Sequence, residues 1–239
     1  MMSKTIAVQC GHGVSLDGSW DPGCVYKSGG KQYTEAALML KITKAAVKYL
    51  RKSGVTVISD ADHGNNKNMI EDVRWANNVG CKIYVSIHCD YSGAPNGVMP
   101  LYVSASGKKI GKYLKKHIKK DLKMKSRGVQ KRTNLFELNE TDMPACILET
   151  GGLKADLATL KGKPDAYGKA IAKGLCEYLG VSFKEGTKAK ETYRVRKSWK
   201  DSKSQKGAFT SLANAKKCAD KYGYSVFNSK GKAVYRGKK

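Results

Sequence analysis

The chain has 239 residues, 41% hydrophobic and 27% charged, with 45 Lys and Arg against 20 Asp and Glu for a formal net charge of +25. That length suits one full domain with a small appendage, and the composition is that of a folded chain rather than a disordered one. No run of about 18 apolar residues is present to cross a membrane, and so large a positive excess favours nucleic acid, anionic lipid or anionic wall polymer as partner.

The opening residues, MMSKTIAVQCGHG, lack the apolar stretch and small-residue cleavage site of a secretory signal peptide. Synthesis and initial retention in the cytoplasm are therefore expected. Residues 5–9 (TIAVQ) predict a strand that ends at Gly11-His12-Gly13. Residues 34–52 carry Leu38, Ile42, Val47 and Leu50 at helical spacing, and Gly54 stops that helix. A second strand follows at 55–59 (VTVIS), a helix at 68–78, and a third strand at 82–88 (KIYVSIH), apolar enough to be central. Strands at 98–103 and 145–149 (ACILE) enclose a helix over 106–124, where Ile110, Leu114, Ile118 and Leu122 recur every four residues. A helix over 165–179 closes the domain. Alternating strands and helices predict an α/β fold, a twisted and mostly parallel sheet flanked by helices.

After Val181 the composition changes. Residues 183–192 read as a linker between a catalytic domain, 1–182, and a small basic C-terminal α+β domain, 193–239. The latter predicts a strand at 193–199, a helix at 211–222 and a hairpin over 224–235 turning at Ser229-Lys230-Gly231. So short a piece folds alone only marginally, and pairing as a homodimer through this domain would support it. The seven cysteines form no CxxC pair and argue against a disulfide framework, and several sit in apolar runs and read as buried thiols.

Four histidines exist: His12, His63, His88 and His117. His12 and His88 each stand where a strand runs out, which is where sites assemble in α/β sheets. His63 reads as an exposed loop residue and His117 as partly packed, and neither is given a role. Two imidazoles, one carboxylate and a water make a common catalytic zinc set, and a further carboxylate must then move the proton. Glu35, opening a helix, and Glu149, ending ACILE, are on offer. Glu35 also suits the helix dipole with no further purpose. A glutamate closing a buried apolar strand is costly unless it has one.

Gly11-His12-Gly13, Asp21-Pro22-Gly23, a Glu opening a helix, RWAN at 74–77, SIHCD at 86–90 and MPACILETGG at 143–152 follow one another. This series, over residues 4–180, resembles the zinc-dependent N-acetylmuramoyl-L-alanine amidases. The resemblance implies a hydrolase that cuts peptidoglycan between the muramic acid lactyl group and L-alanine. It implies Zn2+ held by His12, Glu35 and His88, with Glu149 as the catalytic glutamate. Departures are the longer gap at residues 14–20, Ser59-Asp60 in place of Thr-Arg, and SIHCD in place of SIHxN. A lytic enzyme without a signal peptide is expected to be a phage or prophage endolysin, with a host autolysin as the other origin. Alternatives are a zinc endopeptidase or carboxypeptidase on the stem peptide, or a non-catalytic cationic module binding wall or nucleic acid.

Lys108, Lys109, Lys112, Lys115, Lys116, Lys119 and Lys120 share one helix and favour a nearby polyanion. With the amidase reading, peptidoglycan and anionic wall polymers such as teichoic acid are the expected partners. No nucleic acid is expected, since no zinc-finger, RRM or KH signature appears. The YRVRKSW segment resembles C-terminal modules of clostridial wall lysins, which implies wall targeting.

Overall fold

A computed structural model of the chain describes residues 5–63, 68–186 and 191–238. Residues 1–4 of the expected N-terminus, 64–67 of the loop after His63 and 187–190 of the expected linker lie outside the described residues. The chain divides into two units, Met1–Gly186 and Thr187–Lys239.

The first unit runs β1 (Thr5–Cys10), β2 (Gly13–Val14), β3 (Trp20–Asp21), β4 (Val25–Ser28), β5 (Lys31–Thr34), α1 (Glu35–Lys52), β6 (Thr56–Ile58), α2 (Met69–Val79), β7 (Tyr84–Asp90), β8 (Met99–Tyr102), α3 (Ala105–Leu122), β9 (Gln130–Lys131), α4 (Phe136–Asn139), β10 (Ala145–Gly152), α5 (Leu157–Gly162) and α6 (Pro164–Leu179). Six strands form one sheet in the order β6-β1-β7-β10-β8-β9. The first four are mutually parallel, while β8 runs antiparallel to β10. The mostly parallel α/β sheet expected from the sequence is the one observed.

The sheet is covered on both faces, as a parallel sheet requires. Alternation along β1 sends Ile6 and Val8 to the face packed by α1, α3 and α6, and Ala7 to the face packed by α2 and α4. The stripe read on α3 is the one that packs: Ile110, Leu114 and Ile118 are fully buried. Helix α1 starts where Thr34 caps it, its hydroxyl accepting from the Ala37 amide at 3.3 Å. That fixes Glu35 as the first helical residue. Because β1, β7 and β10 run parallel, their carboxyl ends share one edge of the sheet, and Glu149 lies in register with His88.

Several elements were not expected. The hairpins β2–β3 and β4–β5 fill the stretch between the first strand and the first helix. Strand β9 and helices α4 and α5 occupy ground left unassigned in the sequence reading. Past α6, Phe183 packs on the core and the Lys184 amide donates to Ser53 Oγ at 2.9 Å, so residues 183–184 of the expected linker lie against this unit.

The second unit comprises β11 (Tyr193–Arg196), β12 (Gly207–Phe209), α7 (Leu212–Tyr222), β13 (Ser225–Phe227) and β14 (Ala233–Arg236). Its antiparallel sheet has the order β12-β11-β13-β14. Four buried residues, Val195, Ala215, Ala219 and Val226, form its core, rimmed by half-buried aromatics. The first strand stops at Arg196 rather than Trp199. Strand β12 was not foreseen. Among the described residues no helix is long and apolar enough to cross a membrane.

Candidate metal centre

The end of β1 turns sharply. His12 has φ 63, one of two non-glycine residues described with a positive φ, a conformation that costs about 1–3 kcal/mol and persists only where its surroundings enforce it. Just before it, Asp60 Oδ1 accepts from the Cys10 amide at 3.0 Å, and Gln9 Oε1 accepts from the Asp60 amide at 2.8 Å. The Ser59-Asp60 departure noted in the sequence thus anchors the strand end from which His12 turns.

Glu35 is buried between the two imidazoles. Its Oε1 lies 3.0 Å from His88 Nδ1 and its Oε2 lies 3.3 Å from His12 Nε2. The same oxygens accept backbone amides, Oε1 from Cys89 at 3.0 Å and Oε2 from Cys24 at 3.1 Å. The helix-dipole reading of Glu35 does not describe this geometry, because the carboxylate is engaged with β7 and the loop before β4. One ligand atom from each of His12, Glu35 and His88 lies within 4.8 Å of the others. Donors about 2.0–2.1 Å from a tetrahedral zinc lie roughly 3.3 Å apart, the spacing seen at Glu35.

Each imidazole is backed on its far nitrogen by another carboxylate. His12 Nδ1 lies 2.8 Å from Asp21 Oδ2, and His88 Nε2 lies 3.4 Å from Glu137 Oε2. Residues 14–20, which lengthen the gap between the first two motifs, form the β2–β3 hairpin that brings Asp21 back to His12. Glu137 was missed in the sequence reading. It sits on the four-residue α4, is buried, and accepts from Tyr84 Oη at 2.9 Å. The one sequence signal was an acidic residue between Phe136 and Leu138, two apolar neighbours.

The electrostatics fit a cation. Burial pushes the Glu35 carboxyl up, but hydrogen bonds and charge from His88, His12 and the Cys24 amide bring it down to about 2. Burial likewise disfavours a charged His88, yet Glu137 and Glu35 reverse that and hold the imidazolium well above its ordinary range. The acidic surroundings therefore draw positive charge into the centre. Glu149 differs: burial, opposed by His88 and Arg127 but reinforced by Glu35 and Asp90, pushes its carboxyl up to about 7. Its Oε2 is buried and has no hydrogen-bond partner among the described residues. Two nitrogens, one carboxylate and a spare carboxylate of that kind suit a catalytic zinc site.

Asp90, the departure in SIHCD, accepts from Arg127 Nη1 at 2.7 Å, and Arg127 Nε donates to Gly97 O at 2.9 Å. A cleft of about 110 Å³ opens on the centre, lined by His12, His88, Glu137, Val14, Ser15 and Met69 among others. His63 ends a short 3₁₀ turn and is exposed, while His117 Nε2 lies 2.6 Å from Glu177, away from this centre.

Glycines make the close approach feasible. A Cβ on Gly11 would fall inside contact distance of His88 Cε1 and Nδ1, and one on Gly23 would lie 2.5 Å from His12 Cδ2 and 2.8 Å from Glu35 Oε2. Gly11→Ala is expected to displace the His88 ring and weaken the centre's hold on a metal ion by at least about 10-fold, since overpacking distorts neighbours. Competition with a chelating dye measures this. Undiminished metal affinity would mean that the backbone, not His88, yields.

A family model described as N-acetylmuramoyl-L-alanine amidase matches residues 6–179. An uncharacterised protein of Clostridium perfringens (strain 13 / Type A) is 32% identical over 151 residues, covering 57% of this chain and 44% of that protein. The chain therefore spans less than half the length of the curated relatives it matches. Among solved structures, the N-acetylmuramoyl-L-alanine amidase AmiC2 of Nostoc punctiforme matches with a TM-score of 0.63 at 27% identity, over 74% of this chain and 98% of that one. The catalytic domain of CwlV, an N-acetylmuramoyl-L-alanine amidase from Bacillus (Paenibacillus) polymyxa, matches with a TM-score of 0.64 at 25% identity, over 76% and 100%.

Proposed function

The chain belongs to the N-acetylmuramoyl-L-alanine amidase family, and we propose that it hydrolyses the amide between the muramic acid lactyl group and L-alanine in peptidoglycan, using Zn2+ held by His12, Glu35 and His88. The observation that carries this reading is the convergence of those three residues beside Glu149, whose buried Oε2 is unpartnered among the described residues.

Zinc, when bound, supplies a Lewis acid that acidifies water to near neutral pH and polarises a carbonyl. The remaining work falls to the chain. Glu35 holds its position through two backbone amides and bridges the two imidazoles. Glu149 Oε2 accepts the proton that water loses as its oxygen bonds to the lactyl carbonyl carbon. The same oxygen then delivers that proton to the alanine nitrogen as the C–N bond breaks. A carboxyl pushed up to about 7 by burial suits both halves of this exchange, and a cation nearby favours its ionised, proton-accepting form.

The C-terminal unit is the proposed wall-binding part, with anionic polymers such as teichoic acid as partner and the cell wall as site of action. Its support is charge: residues 191–238 carry 13 Lys and Arg against 3 Asp and Glu, enough to draw a polyanion in a salt-sensitive way. A homodimer through this unit would enlarge its four-residue core.

Metal dependence tests the reading. The full chain should release stem peptides from purified sacculi, lose that activity to a chelator and regain it with zinc. Zinc at about 100 times its Kd adds about 2.7 kcal/mol to the first unit, so its melting should rise by about 5–10 °C. Lysis untouched by a strong chelator would overturn the zinc assignment.

A further inference from the structure

We propose that Glu137 is a positioning residue for the metal centre, holding the His88 ring so that Nδ1, and not Nε2, faces the metal. The inference rests on the zinc reading above and adds to it a residue that no motif marks.

His88 presents Nδ1 to Glu35 at 3.0 Å and Nε2 to Glu137 at 3.4 Å, the second an ion-pair distance at which the buried Nε2 has no hydrogen-bond partner among the described residues, so the Glu137 carboxylate is the charge that faces it. A neutral imidazole carries one proton, and a ligating nitrogen must be the bare one. A carboxylate facing Nε2 can only accept, so it favours the proton there and leaves the Nδ1 lone pair free. Carboxylates in this outer position fix a ligand histidine's tautomer and ring orientation, and their loss costs about 10–100-fold in metal affinity.

Glu137 is built for a fixed position. It is 5% exposed, on α4, and its Oε1 accepts from Tyr84 Oη at 2.9 Å. Tyr84 is itself fully buried and lies on β7, four residues before His88. One strand thus supplies both the ligand and the hydroxyl that holds its carboxylate. His12 has a corresponding partner in Asp21, but that carboxylate's side chain is 45% exposed. Water competes for Asp21 far more than for Glu137. His12 and Asp21 have the shorter contact at 2.8 Å, but the buried Glu137 charge acts on its imidazole with less screening.

The alternative is that Glu137 is only a buried hydrogen-bond partner for Tyr84. Two variants of the full chain separate these roles with zinc ion alone as probe. Glu137→Gln keeps size and a neutral acceptor, and Glu137→Leu removes the acceptor. Zinc affinity by chelator competition is expected to fall about 10-fold in the first and about 100-fold in the second, with the metal-free chains still folded by circular dichroism. Unchanged affinity in either folded variant overturns the proposal. Failure to fold leaves a test on the native chain: long-range 1H–15N spectra of the zinc form should show His88 protonated at Nε2. Coordination through Nε2 would contradict the proposal. A native chain that binds no zinc would instead remove the reading beneath it.

Discussion

Glu149→Gln is expected to keep its zinc and lose about 10²–10⁴-fold in the rate of stem-peptide release, the range associated with a positioned general base. The substitution preserves shape and leaves His12, Glu35 and His88 untouched. It removes the group that exchanges a proton, and the amide that replaces it has no such chemistry. Stability should hold or rise slightly, because a buried carboxyl with an unpartnered oxygen is replaced by a neutral group, and burying a charge is costly. Metal analysis and the release of new amino groups from sacculi are read together. A Gln variant with near-native rate would take the proton-transfer role from Glu149, and one that lost its zinc would make Glu149 part of the metal's support instead.

Glu35→Ala should have the second large effect, and on two measurements at once. Its carboxylate touches both imidazoles and accepts two backbone amides. Removal leaves the Cys24 and Cys89 amides without that acceptor, at about 1–3 kcal/mol for each buried group left unsatisfied. It also leaves only two nitrogens for the metal. Zinc content after desalting is expected to fall from about one per chain to near none, with lysis lost in parallel, and the metal-free melting temperature should fall as well. A variant that retains a full zinc complement would strike Glu35 from the ligand set.

The layers of the first unit were legible because burial on both faces imposes strong patterns. Ile110, Leu114 and Ile118 could be read as one packed stripe, and KIYVSIH could be read as a central strand because little else tolerates so continuous an apolar run. The hairpins between β1 and α1 were not legible. Their strands are two to four residues long and exposed or half-buried at every position but Gly13, too short to show an alternation of polar and apolar residues. Their form is set by what they must reach, with Asp21 returning to His12.

The site divides in the same way. His12 and His88 could be singled out because strand ends and scarcity restrict histidines. Glu35 rested almost wholly on resemblance, since a glutamate opening a helix has an ordinary explanation. What distinguishes it is contact with the Cys89 amide, 54 residues away, and no local pattern encodes that. Glu137 is the sharper case. The sequence reading assigns no element to the stretch around it, and its burial follows only once α4 packs beneath β7 and β10.

The identity of the bond cut tests the whole account most directly. Sacculi digested by the native, zinc-loaded chain should yield free stem peptides with new amino-terminal L-alanine, and glycan strands with free lactyl carboxylates, both visible by mass spectrometry. Products with any other new amino terminus, and muramic acid still bearing alanine, would contradict it.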